Sequence, residues 1–367
     1  MNTTVLGGII FIIVFGGIIL LHEFGHFIVA KLMHIKVEEF GIGFPPRIFK
    51  LFTWRGTDFT LNWIPLGGFN KLAGENDPDQ PGGLAAASPL RRIPVLLAGA
   101  AMNLLTAVVV YTFLFLQMGL PDTHAVQIGN VSPDSPAALA GLKSGDIIVT
   151  ANGQPVDSTN KFISITYSSL GKSFPLVIQR ASQELTIDIT PRAHPPTGQG
   201  PMGVSIGNPV RRPSSWFETV PISFKAVGSD IDQLLTLPGR LIAGTVPAQD
   251  AQIAGPRSIW NLFQQSVSRD VTSRAQSGSA GSTTVPTNYT LLVIISLCLT
   301  VGVVNLLPIP ALDGWHIFMS LVELVIHRRI PAKYQAAING IGFIVLVTLL
   351  GFFYIKDFIN PVTINLP

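Results

Sequence analysis

Two histidines four residues apart, with a glutamate between them, stand in His22-Glu23-Phe24-Gly25-His26. Residues i and i+4 share one face of an α-helix, their Cβ atoms about 6 Å apart, so both imidazoles can converge on one ion. Glu23 falls beside that face, where a carboxylate can take a proton from bound water. This is the H-E-x-x-H spacing of zinc hydrolases. Such a zinc takes three protein ligands and leaves a fourth position for water.

The elements that must carry this cluster are apolar. Of 367 residues, 24 are Lys or Arg and 21 are Asp or Glu, or 12% charged, about half the share of an ordinary soluble domain. The net charge is +3 and the basic residues are dispersed, so no footprint for a polyanion stands out. A single cysteine, Cys298, excludes an intramolecular disulfide framework. Charge is missing altogether from residues 1–22, 93–121, 275–312 and 334–355. Each stretch contains an apolar run close to the ~20 residues that cross a bilayer as a helix, which predicts four transmembrane helices. The first run lacks a basic leader and a small-residue cleavage site, and it flows straight into His22, so it reads as a retained span.

Lys31, Lys36, Arg47, Lys50, Arg55, Arg91 and Arg92 lie between the first two spans, and Arg328, Arg329 and Lys333 between the last two. Short loops rich in Lys and Arg stay in the cytoplasm. The N-terminus, the long segment between spans two and three and the C-terminus are therefore expected outside.

The third ligand is sought at the depth of His22 and His26. Asp313 in Asn305-Leu-Leu-Pro308-Ile-Pro310-Ala-Leu-Asp313-Gly314 is the better candidate over the remaining histidines. Pro308 and Pro310 interrupt a helix, and irregular backbone at membrane depth belongs beside a cavity. The paths from Val5 to His22 and from Tyr289 to Asn305 each descend about 25 Å from the outer face, so the two elements meet at one level. His34 and His327 read as interfacial side chains.

Residues 124–192 alternate like a small β-rich module. Val131 to Gly153 reads as strand, short helix, turn, strand and Asn-Gly hairpin, with strands at Phe174–Gln179 and Glu184–Ile189. The pattern resembles a PDZ domain of the secreted-protease kind, which takes up an extended peptide or C-terminus as an added strand. Asp58 to Gly68 alternates and contains Pro65, the mark of an edge strand. Ser214–Leu241 can form an amphipathic helix, and Ser268–Asn288, rich in Ser, Thr and Gly, reads as a flexible linker.

Together these motifs resemble the site-2 protease family of intramembrane zinc metalloproteases, most closely the bacterial regulator-of-sigma-E protease type. His22-Glu-Phe-Gly-His26 and Asn305 to Gly314 carry the likeness. Glu39-Phe-Gly-Ile-Gly-Phe-Pro-Pro and Trp63-Ile-Pro-Leu-Gly-Gly-Phe69 resemble the family's β-rich loop, and Gly99-Ala-Ala-Met-Asn103 its G-x-x-x-N motif. The resemblance implies that His22, His26 and Asp313 hold one Zn2+ and that Glu23 is the catalytic base. It also implies that Asn305, Pro308 and Pro310 bind or position substrate. Trp315 stands where a second glycine is common, and one PDZ-like unit is visible where some relatives carry two.

The expectation is thus a polytopic α-helical membrane protein with four transmembrane helices, a membrane-associated β-rich loop and an inserted external PDZ-like domain. The first helix with its H-E-x-x-H motif takes residues 1–33, the β loop 34–92 and the second helix 93–119. The PDZ-like domain takes 120–200, and the amphipathic helix with its linker 201–288. The third helix with Asp313 takes 289–315, a cytoplasmic loop 316–335, the fourth helix 336–356 and a tail 357–367. The function expected is zinc-dependent hydrolysis of peptide bonds in or near single-span membrane-protein segments, in a bacterial inner membrane. Peptides or C-termini are expected at the PDZ-like domain, and no nucleic acid. The alternative is a membrane-anchored PDZ peptide-binding protein with a vestigial metal site. A di-iron oxygenase would need several histidine boxes, and one is present.

Overall fold

The computed structural model describes residues 3–75, 77, 79–196, 198–244, 255–277 and 288–361. They fall into two compact units, Met1–Leu114 with Phe217–Pro367, and Phe115–Trp216.

Helix α1 (Thr3–Leu32) has 30 residues, about 45 Å of helix. A ribbon follows, formed by β1 (Val37–Trp54) and β2 (Thr57–Leu72). It turns at Arg55-Gly56, both with positive φ, as the tight turn of a two-residue hairpin requires. The ribbon doubles back on itself. Phe40 stands opposite Asn70 on one side and Phe59 on the other, and Ile42 opposite Gly68 and Leu61. Residues 58–61 are therefore flanked by strand on both sides, with 47–54 outside them. This corrects the reading of Asp58–Gly68 as an edge for residues 58–61, whereas Gly68, opposite Ile42 alone, lies on an outer strand. Alternation reports which face a residue takes and not which strand lies beside it, and Pro65 falls at the bend. There the ribbon sits on α1: a Cβ added to Gly67, at φ +91°, would lie 2.6 Å from the Ile19 side chain.

Helix α2 (Pro89–Met118) presses on α1 closely enough that a Cβ on Gly25 would lie 2.4 Å from the Ala98 carbonyl oxygen. The base of α1, the start of α2 and the ribbon share a core of Phe27, Ala30, Val37, Phe40, Leu72 and Val95. Rings of Phe24, Phe27, Phe40 and Phe59 pack within it.

The second unit contains β3 (Leu120–Pro121), β4 (Val126–Val131), α3 (Pro136–Leu139), β5 (Ile147–Ala151) and β6 (Gln154–Pro155), then α4 (Thr159–Ser168), β7 (Phe174–Arg180), β8 (Gln183–Ile189), β9 (Val204–Gly207) and β10 (Val210–Arg211). Its sheet runs β8-β7-β5-β4-β9, with β6 on β5, while β3 pairs with β10. Ser135 and Ser158 cap α3 and α4 by accepting from Ala138 N and Lys161 N. Val126, Ile128, Ile148, Leu176, Ile178 and Phe162 fill the core. The arrangement is PDZ-like. The sheet continues past residue 200, because β9 pairs with β4.

Among the described residues, five helices complete the first unit. They are α5 (Trp216–Ile242), α6 (Pro256–Ser277), α7 (Tyr289–Asn305), α8 (Asp313–Ile326) and α9 (Ala332–Ile359). Helix α5 buries Thr219, Ser223 and Val227 at four-residue spacing and exposes Trp216, Phe217, Phe224 and Leu235, the amphipathic helix expected from its sequence.

Helix α6 overrides the expected linker as far as Ser277, and residues 278–287 lie outside the described residues. Phe263 and Val267 are buried with Val293 of α7 and pack on Leu6, Ile10 and Phe11 of α1. The carboxylate of Asp357 in α9 accepts from Arg257 N and Ser258 N at the start of α6. That of Asp270 in α6 accepts from Tyr289 N and Thr290 N at the start of α7. Both caps satisfy amide donors that a helix end leaves orphaned, and composition alone does not reveal partners so distant in sequence.

Residues 316–326, expected as loop, are helical in α8. Its end is closed by His327 in the left-handed conformation and by the Glu323 carboxylate, which accepts from Ile330 N and Gln335 Nε2.

Among the described residues, three helices are long and apolar enough to cross a membrane, namely α1, α2 and Ala337–Ile359 of α9. Helix α9 turns Ile341, Phe343, Ile344 and Val345 outward, an apolar surface suited to lipid. The third expected span, α7, has 17 residues.

Candidate metal centre

Helix α1 brings His22 and His26 to its buried face, at 8% and 7% exposure. Facing them on α2 is Gly99, where a Cβ would stand 2.3 Å from His26 Nε2 and 2.7 Å from His22 Nε2. Any larger residue would occupy the space of the rings. Asp313 arrives from the first turn of α8. It follows a loop, residues 306–312, that Gly314 allows to close tightly: a Cβ there would lie 2.3 Å from the Leu307 carbonyl oxygen.

Three atoms then form a near-equilateral triangle. Asp313 Oδ2 lies 3.1 Å from His22 Nε2 and 3.2 Å from His26 Nε2, and the two Nε2 atoms are 3.2 Å apart. Donors held about 2.0–2.1 Å from a tetrahedral zinc stand about 3.3 Å from each other, so the triangle suits that ion. Among the described residues, these three are the group of His, Cys, Asp and Glu placed to share a metal.

The second nitrogen of each ring is also engaged. His26 Nδ1 lies 2.7 Å from the Val95 carbonyl oxygen, which can only accept, so the proton sits on Nδ1 and the Nε2 lone pair faces the cluster. His22 Nδ1 lies 3.2 Å from the side-chain amide of Asn103.

Glu23 is half-buried on the neighbouring side of α1, within electrostatic reach of His22, His26 and Asp313. Glu75, from the segment after β2, shares that field. Asn305 ends α7. Pro308 is exposed in the following loop, and Pro310 is half-buried against Gly342 of α9. His34 and His327 stand at helix ends with left-handed φ of 61° and 54°, away from the triangle.

Two contributions were not assigned from sequence, the room left by Gly99 and the partner supplied by Asn103. Their four-residue spacing on α2, equal to that of His22 and His26, was the available signal.

The PDZ-like unit offers a second concavity, about 260 Å³, lined by Phe162, Ile163 and Tyr167 of α4 and by Met202, Val204 and Ile206. It lies along β9, the end strand of the sheet.

Membrane-crossing helices that bear an H-E-x-x-H turn against a distant aspartate, with a PDZ-like unit inserted between them, define a membrane-embedded metallopeptidase. The family model Peptidase family M50 matches residues 10–349. The chain belongs to this family, that of the site-2 proteases, and is an intramembrane zinc metalloprotease. It is 33% identical over 352 residues to a "Putative zinc metalloprotease" of Clostridium perfringens, covering 96% of this chain and 98% of the relative. A protein of the same description from Clostridium acetobutylicum is 30% identical, with 96% and 98% covered. Among solved structures, the PDZ domain of an SdrC-like protein from Listeria monocytogenes aligns with 23% of this chain and 87% of its own, at 25% identity and a TM-score of 0.21. The reading as a binding protein with a vestigial metal site is not favoured.

Proposed function

We propose that His22, His26 and Asp313 hold one zinc ion per chain and that Glu23 is the general base for peptide-bond hydrolysis. The observation that carries this reading is the 3.1–3.2 Å triangle of Nε2, Nε2 and Oδ2 atoms. Zinc bound there supplies a Lewis acid that activates water and polarises the scissile carbonyl. Glu23 accepts the proton of the attacking water as the C–O bond forms and then delivers it to the amide nitrogen, which leaves as the amine when the C–N bond breaks. Asn305, with Pro308 and Pro310 in the loop before Asp313, positions the substrate strand beside that carboxylate.

The chain crosses a bacterial inner membrane four times, α7 and the loop after it making the third crossing. The PDZ-like unit lies outside. Its occupant is an extended peptide or C-terminus added to β9, with an apolar side chain in the cleft against α4. The substrate is a single-span membrane protein, whose helix must open before its peptide bonds can be reached.

Metal analysis of the purified chain together with cleavage of a single-span substrate tests the site. About one equivalent of zinc is expected, lost on His26→Ala or Asp313→Ala. Glu23→Gln is expected to retain zinc and to abolish cleavage. Less than half an equivalent in the unsubstituted chain, or turnover by Glu23→Gln at the unsubstituted rate, would overturn the assignment.

A further inference from the structure

Asn103 is fully buried on α2, at 0% exposure. Among the described residues, its side chain meets His22 Nδ1, 3.2 Å from Nδ2, and its Oδ1 has no partner. A buried amide oxygen left without a donor is costly, and the buried positions nearest to it on this helix, Ala98, Gly99, Ala100, Ala107 and Val108, are all apolar. A leucine of similar size would pack there without that penalty. The amide therefore calls for a reason beyond packing.

The donor set supplies one. When the Nε2 lone pair of His22 faces the triangle, the neutral ring carries its proton on Nδ1, which must donate. An amide NH2 cannot accept that proton, whereas Oδ1 can. Rotating the amide by about 180° about its terminal torsion exchanges the two groups and pairs the orphaned oxygen with the orphaned N–H. Val95 O already performs this service for His26 from the main chain.

We propose that Asn103 is the positioning residue for His22, accepting the Nδ1 proton through Oδ1 and so fixing the tautomer and ring plane that present Nε2 to the metal. The proposal rests on the zinc reading given above. Outer partners of this kind change metal affinity about 10–100-fold when removed.

The test measures Zn2+ affinity of the purified full chain by competition with a chelator of known affinity, for the unsubstituted protein, Asn103→Leu and Asn103→Asp. Asn103→Leu is expected to bind zinc about 10–100-fold more weakly. Asn103→Asp, which offers only acceptor oxygens when ionised, is expected to bind close to the unsubstituted chain. Equal affinity in Asn103→Leu would overturn the proposal. So would a loss in Asn103→Asp as large as that in Asn103→Leu, because the amide would then act through its N–H. If the leucine variant does not fold, the aspartate variant decides alone: a loss of about tenfold or more in Asn103→Asp would overturn the proposal. An unsubstituted chain that binds no zinc would strike the zinc reading itself, a result distinct from both.

Discussion

Gly99 leaves room for His26: a Cβ at position 99 would stand 2.3 Å from His26 Nε2, closer than non-bonded atoms approach. Gly99→Ala is therefore expected to push the imidazole out of the triangle and to lower zinc affinity at least tenfold. Gly17→Ala on α1 is the control, since nothing lies within 4 Å of its added Cβ. Zinc titration of the two variants checks this, and unchanged affinity in Gly99→Ala would refute it.

A second expectation concerns the pair that ties α2 to α8. The guanidinium of Arg92 bonds to the carboxylate of Glu323, with side chains 11% and 4% exposed. Removing one member of a buried pair strands the other and costs about 3–5 kcal/mol. Glu323→Ala also strands the Ile330 N–H and the Gln335 amide, which the same carboxylate receives. Thermal unfolding in detergent should show a large loss for Glu323→Ala, and Arg92→Met/Glu323→Leu should recover much of it. A double variant as weak as the single one would mean that the stranded amides, and not the ion pair, dominate.

The PDZ-like unit carries an acid-sensitive lock. Burial disfavours the charged form of Asp146. Hydrogen bonds from Arg180 and from Lys143 N, at 2.7–2.8 Å, outweigh burial and hold the carboxyl below its usual range. A carboxyl lowered in the folded state contributes stability above its unfolded pKa of about 3.9, and that contribution is lost as pH falls through the folded value. The unit's melting temperature should fall on acidification below about pH 4, and Asp146→Asn should lower it at neutral pH while flattening that dependence. An unaltered acid profile in Asp146→Asn would place the sensitivity elsewhere.

The cleft beside β9 predicts a binding phenotype separable from catalysis. Ile163 and Tyr167 are 40% and 57% exposed on α4, so Ile163→Glu should leave the unit folded. Introducing a charge into the apolar lining should weaken the capture of a peptide with an apolar C-terminal residue about tenfold or more, the scale of losing a buried anchor. Leu139→Glu, at an 83% exposed position on α3, should have no effect. Fluorescence titration of the full chain with such a peptide distinguishes the two, and equal affinities would remove the cleft as the binding place.

Sequence periodicity placed His22 and His26 on one helical face, because i and i+4 positions superimpose on any α-helix whatever surrounds it. The scarcity of charge marked the apolar helices for a similarly local reason, since each needs only its own length and composition to suit a bilayer. The strands of the PDZ-like unit followed from alternation, and the place of Asp313 after a proline-broken helix followed from counting residues down from the outer face.

Other features belong to the tertiary structure alone. Serine and threonine content suggested a linker where α6 stands, because its helix depends on Asp357 and on Phe263 finding α1. Alternation could not show that the β1–β2 ribbon doubles back, because the fold of a ribbon is set by its bend and by what it docks against. His22 and Asp313 are 291 residues apart in the chain and 3.1 Å apart in space. Their meeting requires α1, α2 and α8 to pack together, with Gly99 leaving room and Asn103 and Val95 holding the rings. Spacing along one helix is fixed by backbone geometry, but the distance between helices is fixed by the side chains that separate them, and it was the packing that turned a motif into a site.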